Sequence, residues 1–148
     1  MADLTVTLTE SVTLQGETKG STNTLTIGSI LHTMERIVTC TASQTTTIAT
    51  FNSTVHGAAN AIDIEDTKYI RVTNLDASNA LELAIVGAAT LYQVTLRAGE
   101  SHILGSPDGL MLAEAATSPS FGTMADIGSI QVNPGSNAIK VELFVAGA

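Results

Sequence analysis

A chain of 148 residues with 44% hydrophobic content has enough interior for one domain with a real core, yet only 14% of it is charged, well below the usual quarter. The formal net charge is −8, and the six Lys and Arg are scattered: Lys19, Arg36, Lys68, Arg71, Arg97 and Lys140. Such a field repels nucleic acid and offers no cluster to track a phosphate backbone, and no apolar run approaches the roughly eighteen residues of a membrane span.

Leu4, Val6, Leu8, Val12 and Leu14 keep one parity, with Thr5, Thr7, Thr9 and Thr13 on the other. Period-two alternation marks a strand with one apolar and one wet face. It predicts one long strand, or two in line with a break near Glu10-Ser11. An opening this regular is either a sheet strand or an arm, about residues 1–15, that pairs with a neighbouring subunit. Gln15 to Asn23 reads as a flexible, polar hairpin-type loop, and Thr24 to Ile30 as the next strand. Arg36 to Thr41 and Thr46 to Phe51 follow as strands joined by Ala42-Ser43-Gln44, then a Gly/Ala/Asn loop over Asn52 to Asn60, and Ala61 to Asp66 leads onward.

From Lys68 to Leu104 the pattern is a β-meander. Ile70 and Val72 alternate with Arg71 and Thr73; Leu81, Leu83 and Ile85 with Glu82 and Ala84; Tyr92, Val94 and Leu96 with Gln93, Thr95 and Arg97. Asn74 to Asn79 supplies the turn between the first two runs. Gly105-Ser106-Pro107-Asp108-Gly109 is a turn signal, Leu110 to Ala116 is the one helix-compatible stretch, and Thr117 to Gly122 is a loop. The end is strand again: Ile130 to Val132, a turn at Asn133 to Asn137, then Ile139, Val141, Leu143 and Val145. Ser78-Asn79-Ala80 and Ser136-Asn137-Ala138 lead into alternating strands in the same way, one turn chemistry used twice. Many short strands with turns between them predict an all-β, antiparallel β-sandwich or jelly-roll-like single domain. With no Trp, three Phe and two Tyr, its core is filled by Leu, Ile, Val and Ala.

No reaction centre emerges. His32, His56 and His102 stand far apart with none of the short spacings of a zinc site. Ala98 to His102 is similar to the first cupin motif, but the second His and the following Glu are missing. Asp63, Glu65 and Asp66 form the densest acidic cluster, without the turning Gly or terminal Glu of a calcium loop; they read as a solvated strand entry. Cys40 shares parity with Val38 and reads as a small buried hydrophobe. It has no partner for an intrachain disulfide. Arg97 and Glu100 flank the Ala98-Gly99 turn and are expected to pair with each other or across an interface. The expectation is no enzyme, no metal and no cofactor. Met1-Ala-Asp-Leu-Thr lacks the basic start and apolar core of a secretory signal, so synthesis and folding are expected in the cytoplasm.

Three segments, ADLTVTLTESVTL, KYIRVTNLDASNALEL and LYQVTLRAGESHIL, together with the closing IKVELFVAGA, give the chain a pattern that resembles small structural proteins of tailed-bacteriophage virions. These include trimeric decoration, or cement, proteins of the capsid exterior, and tail or fibre components. The resemblance implies a non-enzymatic assembly role, with a major capsid protein or other virion proteins and sister copies as partners, a homotrimer, and a place in the virion. Low charge and abundant Thr agree with a module whose sides are covered in a symmetric assembly. Alternatives are a tail-tube, head–tail connector or fibre component, and a carbohydrate-binding β-sandwich, for which Tyr69 and Tyr92 are the only tyrosines available for stacking. The first strand (Leu4, Val6, Leu8) and the last (Ile139, Val141, Leu143) are the expected subunit-interface strands.

Overall fold

The alternating runs fold as strands, because each can turn its apolar parity to a shared interior and its Thr, Ser and Gln to water. The computed structural model describes residues 1–53, 61–88, 91–112, 118 and 121–148, and all regular structure among them is β. Eight strands make the body: β5 (His32–Cys40), β6 (Thr46–Asn52), β8 (Thr67–Asn74), β9 (Leu81–Gly87), β10 (Leu91–Leu96), β11 (Ser101–Leu104), β12 (Ile127–Asn133) and β13 (Ile139–Gly147). One sheet has the order β11-β8-β13-β5. The other has β10-β9-β12-β6, extended by a two-residue parallel strand, β7 (Ile62–Asp63). The chain switches sheets repeatedly and closes the first strand of the body, β5, on its last, β13, which is the jelly-roll form of an antiparallel sandwich.

The interior lies between the two sheets. Ile70, Val72, Ile139, Val141, Leu143 and Val145 from one meet Leu81, Leu83, Ile85, Ile130 and Val132 from the other, all within 2% of full burial. Each such aliphatic side chain contributes roughly 1.5–3 kcal/mol when taken out of water, so the scarcity of aromatic rings is no handicap. Cys40 is wholly buried on β5, as its parity requires. The final strand lies between β8 and β5 and has both backbone edges paired. Ile139, Val141 and Leu143 therefore point into the core, and the strand has no edge for a second chain. The expectation of an interface there does not hold.

Before the body comes an arm. β1 (Ala2–Thr9) pairs antiparallel with β4 (Thr22–Ile30), and β2 (Val12–Leu14) with β3 (Glu17–Lys19). The stretch expected to be a hairpin-type loop, Gln15 to Asn23, holds a hairpin turn, but most of it is the paired return limb rather than loop. Its turn is Gln15-Gly16, both at positive φ (51° and 85°), the geometry whose twist matches that of paired strands. The break expected near Glu10-Ser11 is present. Gly20, at φ 139°, passes so close to the Glu10 carbonyl that a Cβ there would collide with it. Of the helix-compatible stretch, Leu110 to Leu112 carries no helix: Met111 makes an isolated bridge with Ala125. Residues 113–116 fall outside the described residues.

At one end of the sandwich a buried side chain ties the sheets together. The Asn74 amide donates to the carbonyls of Asn79 (2.9 Å), Leu96 (3.0 Å) and Arg97 (3.1 Å), and its Oδ1 accepts the Asp76 N–H (3.0 Å). Asp76 in turn accepts the N–H groups of Ser78 and Asn79, which hold its carboxyl below the usual range. The two Ser-Asn-Ala turns meet here, with the Asn137 amide donating to Asn79 Oδ1 at 3.2 Å. Asn74→Ala strips buried carbonyls of their donor and is expected to cost about 3 kcal/mol, whereas Asn137→Ala, at an exposed site, stays within about 0.5 kcal/mol. Urea unfolding monitored by circular dichroism measures both.

Candidate functional site

The residues with chemical potential are dispersed. His32 starts β5 and His102 lies on β11, the opposite edges of one sheet; His56 lies outside the described residues. Among the described residues no three His, Cys, Asp or Glu gather as metal ligands. Asp63 Oδ1 accepts the Glu65 N–H at 2.9 Å, and the Glu65 carbonyl accepts the Lys68 ammonium, so this acidic stretch shapes a turn. Glu100 accepts the Arg97 N–H at 2.7 Å and stands 3.7 Å from its guanidinium, on the surface. Burial raises the Cys40 thiol above its ordinary pKa, against a smaller opposing effect of Thr46, which keeps it unreactive.

One polar pair occupies the gap where the sheet edges β10 and β11 approach. The Tyr92 hydroxyl and His102 Nε2 are 3.0 Å apart, with the rings edge to face at 6.0 Å. Burial raises the tyrosine pKa and lowers that of the histidine.

The arm is built differently. Cross-strand partners lie on the same side of a ribbon, so Leu4 and Ile27, Val6 and Leu25, and Leu8 and Asn23 share one face of the first ribbon, while beyond the kink Val12 stands with Lys19 and Leu14 with Glu17. Thr5–Thr26, Thr7–Thr24, Thr9–Thr22 and Thr13–Thr18 pair on the other, with hydroxyls 3.5, 3.3 and 3.1 Å apart in the last three pairs. At its base the apolar face lies on the outside of the four-stranded sheet, where Leu4, Val6 and Ile27 pack with Ile30, Tyr69, Phe144 and Ala146. Tyr69 and Phe144 meet edge to face at 6.1 Å. Arg71 sits beside them, 5.9 Å from the Phe144 ring and bonded to both Glu142 oxygens at 3.3 and 2.9 Å. That pairing lowers the Glu142 pKa.

Beyond the base the large aliphatic side chains of the arm are open to solvent among the described residues. Leu8, Leu25, Val12 and Leu14 are 50–61% exposed. Of the expected interface residues in the first strand, Leu4 and Val6 are half-buried against their own chain, and Leu8 is open.

A second surface went unread in the sequence. The outer face of the five-stranded sheet carries Val86, Ser129 and Thr50 in one row and Gln93, Ala84, Gln131 and Thr47 in the next. Glu82 is the charged side chain among its neighbours in the following row. Between Thr47 and Thr50 on one side and Val86, Gly87 and Ala88 on the other runs an open trough of about 570 Å³, floored by Gly128 and Ser129, with Asp126 at its end. The available signal was the outward parity of β9 and β12, which is small and almost uncharged.

The fold and these surfaces define an all-β sandwich with a projecting hairpin arm. No protein-family model matches the chain, and no curated protein matches it. Among solved structures it is similar to a protein from work on Bacillus endospore appendages, a family of disulfide-linked pili. The identity is 10% over 80% of this chain and 85% of that one, with a TM-score of 0.49.

The histidine gives a pH prediction. With its folded pKa below the ordinary 6.5, the unfolded chain takes up the proton first as pH falls. Stability is therefore full above about pH 6.5 and declines as pH drops through the folded value. Thermal melts are expected to show a lower midpoint at about pH 5.5 than at about pH 7.5, and His102→Gln reduces that difference.

Proposed function

We propose that this chain is a non-enzymatic structural subunit of a large symmetric particle, and specifically a decoration protein on the outside of a tailed-bacteriophage capsid. The observation that carries the reading is the arm, a hairpin whose apolar face is covered at the base and bare over its outer half. A freely diffusing monomer gains nothing from holding four large aliphatic side chains in water. A subunit that sets them against a neighbour gains at roughly 25 cal/mol per Å² of apolar area, multiplied over every copy in a shell. The narrower assignment to a capsid rests on the resemblance of the strand segments to virion structural proteins. The acidic surface suits a protein kept apart from packaged nucleic acid.

Immuno-electron microscopy with an antibody to the purified protein, on virus particles from the source of the sequence, is expected to place gold on the capsid exterior. Gold confined to tails overturns the capsid assignment in favour of a tail component, and particles without gold overturn the virion reading. A shortened arm, with Thr7 joined to Thr24 through an Asn-Gly turn, is expected to keep the melting temperature of the body while losing attachment to particles. The removed side chains bury little in the isolated chain, so a body that melts far lower contradicts this division of roles.

A further inference from the structure

We infer that the free edge of β1, at the base of the arm, takes an extended segment of a partner protein, added as a third strand to the β1–β4 ribbon over β8 and β11. This deepens the reading of the chain as an assembly subunit, and rests on it. Among the described residues β1 pairs with β4 alone, so one of its two edges is unpaired. Beside that edge lies an open cavity of about 340 Å³. Four consecutive residues of β1, Leu4 to Thr7, line it from one side, and Tyr69, Arg71 and Ile103 line it from below. Successive residues of a strand point to opposite faces. Both parities border one cavity only where it runs along the backbone edge. The wall therefore offers a row of N–H and C=O groups, and what matches such a row is another extended backbone. Leu4 to Thr9 also contains no proline and no charge, the devices that otherwise keep an edge from being joined.

The floor of the cavity holds an unused polar group. Tyr69 is 5% exposed, and its hydroxyl makes no hydrogen bond among the described residues. No fully sealed side-chain oxygen or nitrogen among them lacks a partner, so this hydroxyl keeps an opening, and the cavity it lines supplies one. Arg71 is close enough to oppose the rise that burial gives the tyrosine pKa. The guanidinium already donates to Thr73 and to both Glu142 oxygens, so its charge is met. What the floor calls for is a neutral acceptor, such as a carbonyl or a side-chain oxygen, rather than an anion. Ile103, 47% exposed, adds an apolar contact beside it. The incoming segment thus sets apolar or oxygen-bearing side chains toward the floor at every second position, with the side chains between them in water. Charge favours a different protein over a second copy: each copy carries −8 and repels its like, whereas a neutral or basic segment meets no such barrier.

The probe is a display library of random heptapeptides, selected on the full chain. Peptides with an apolar residue at every second position are expected to be enriched. A synthetic copy of the most enriched one is expected to slow amide exchange at the β1 residues whose N–H groups face the free edge. Tyr69→Phe is expected to leave the melting temperature unchanged, because its hydroxyl has no partner in the free chain, and to weaken peptide binding about fivefold. Ile103→Arg, at an exposed position, is expected to abolish binding while the chain stays folded. No enrichment, unchanged exchange in β1, or equal binding by both variants each overturn the strand addition. A large fall in the melting temperature of Tyr69→Phe overturns the unused hydroxyl. Light scattering of the chain alone that gives twice 15.2 kDa, returned to the monomer by Ile103→Arg, overturns the partner protein in favour of a second copy. Gold on capsids with no peptide enriched would sink this inference and leave the structural role standing; peptide binding at β1 with unlabelled particles would do the reverse.

Discussion

The pairing of the first strand of the sandwich with the last is the constraint on which everything else depends. β5 and β13 run side by side from Cys40 with Ile139 to His32 with Gly147, and β13 then pairs with β8 on its other side. Without that closure the four-stranded sheet would lack its centre and the core would open along Val141, Leu143 and Val145. It also fixes where the arm leaves the body. The Leu31 N–H donates to the Gly147 carbonyl at 2.9 Å, and the Ala148 N–H to that of Asp66. The entry to the body and the last residue are thus tied to the same corner. From there β4 turns back, through the positive φ of Ser29 (63°), onto the outside of the sheet.

The arm and the body divide the available side chains in different ways. In the body, apolar parity faces inward and meets a second sheet, the ordinary solution for a half-polar strand. In the arm there is no second sheet of its own, and a two-stranded ribbon alone is marginal in water. Its outer half is held by the Gln15-Gly16 turn, by backbone pairing and by the threonine pairs of the wet face, each of which contributes a fraction of a kcal/mol, about 0.2–1. Threonine suits this position because its branched Cβ favours extended backbone while its hydroxyl remains soluble. The result is a preformed surface that loses little conformational entropy when it is covered.

Strand identity was legible because alternation is a local property. Ile70 and Val72, Leu81 to Ile85, and Ile139 to Val145 all face as their parity requires. Strand neighbours were not legible, since a central and an edge strand with one buried face can show the same period; hence the regular closing strand looked available when both of its edges are paired. The hairpin of the arm was legible as a turn, but the strand within its return limb was not, because Glu17, Thr18 and Lys19 carry no apolar parity. Within the site, the open face of Leu8 was visible from sequence as half of a pattern. The trough was not, because it needs three strands brought together, and small uncharged residues are conspicuous only as a group.

The Gln15-Gly16 turn has a kinetic consequence. The strand pairing of the arm is made within about thirty residues of chain, and short hairpins close in roughly 1–10 μs. The body must bring β5 to β13 across almost the whole remaining sequence, and folds with long-range pairings of this kind take on the order of milliseconds to seconds. The ribbon's pairing is therefore sampled on a chain that is not yet a sandwich, and is fixed only when its base can lie on the finished sheet. The kink at Gly20 and the charges of Glu10, Glu17 and Lys19 break that ribbon into short lengths, which is how an edge is kept from growing into an aggregate while the rest of the molecule catches up.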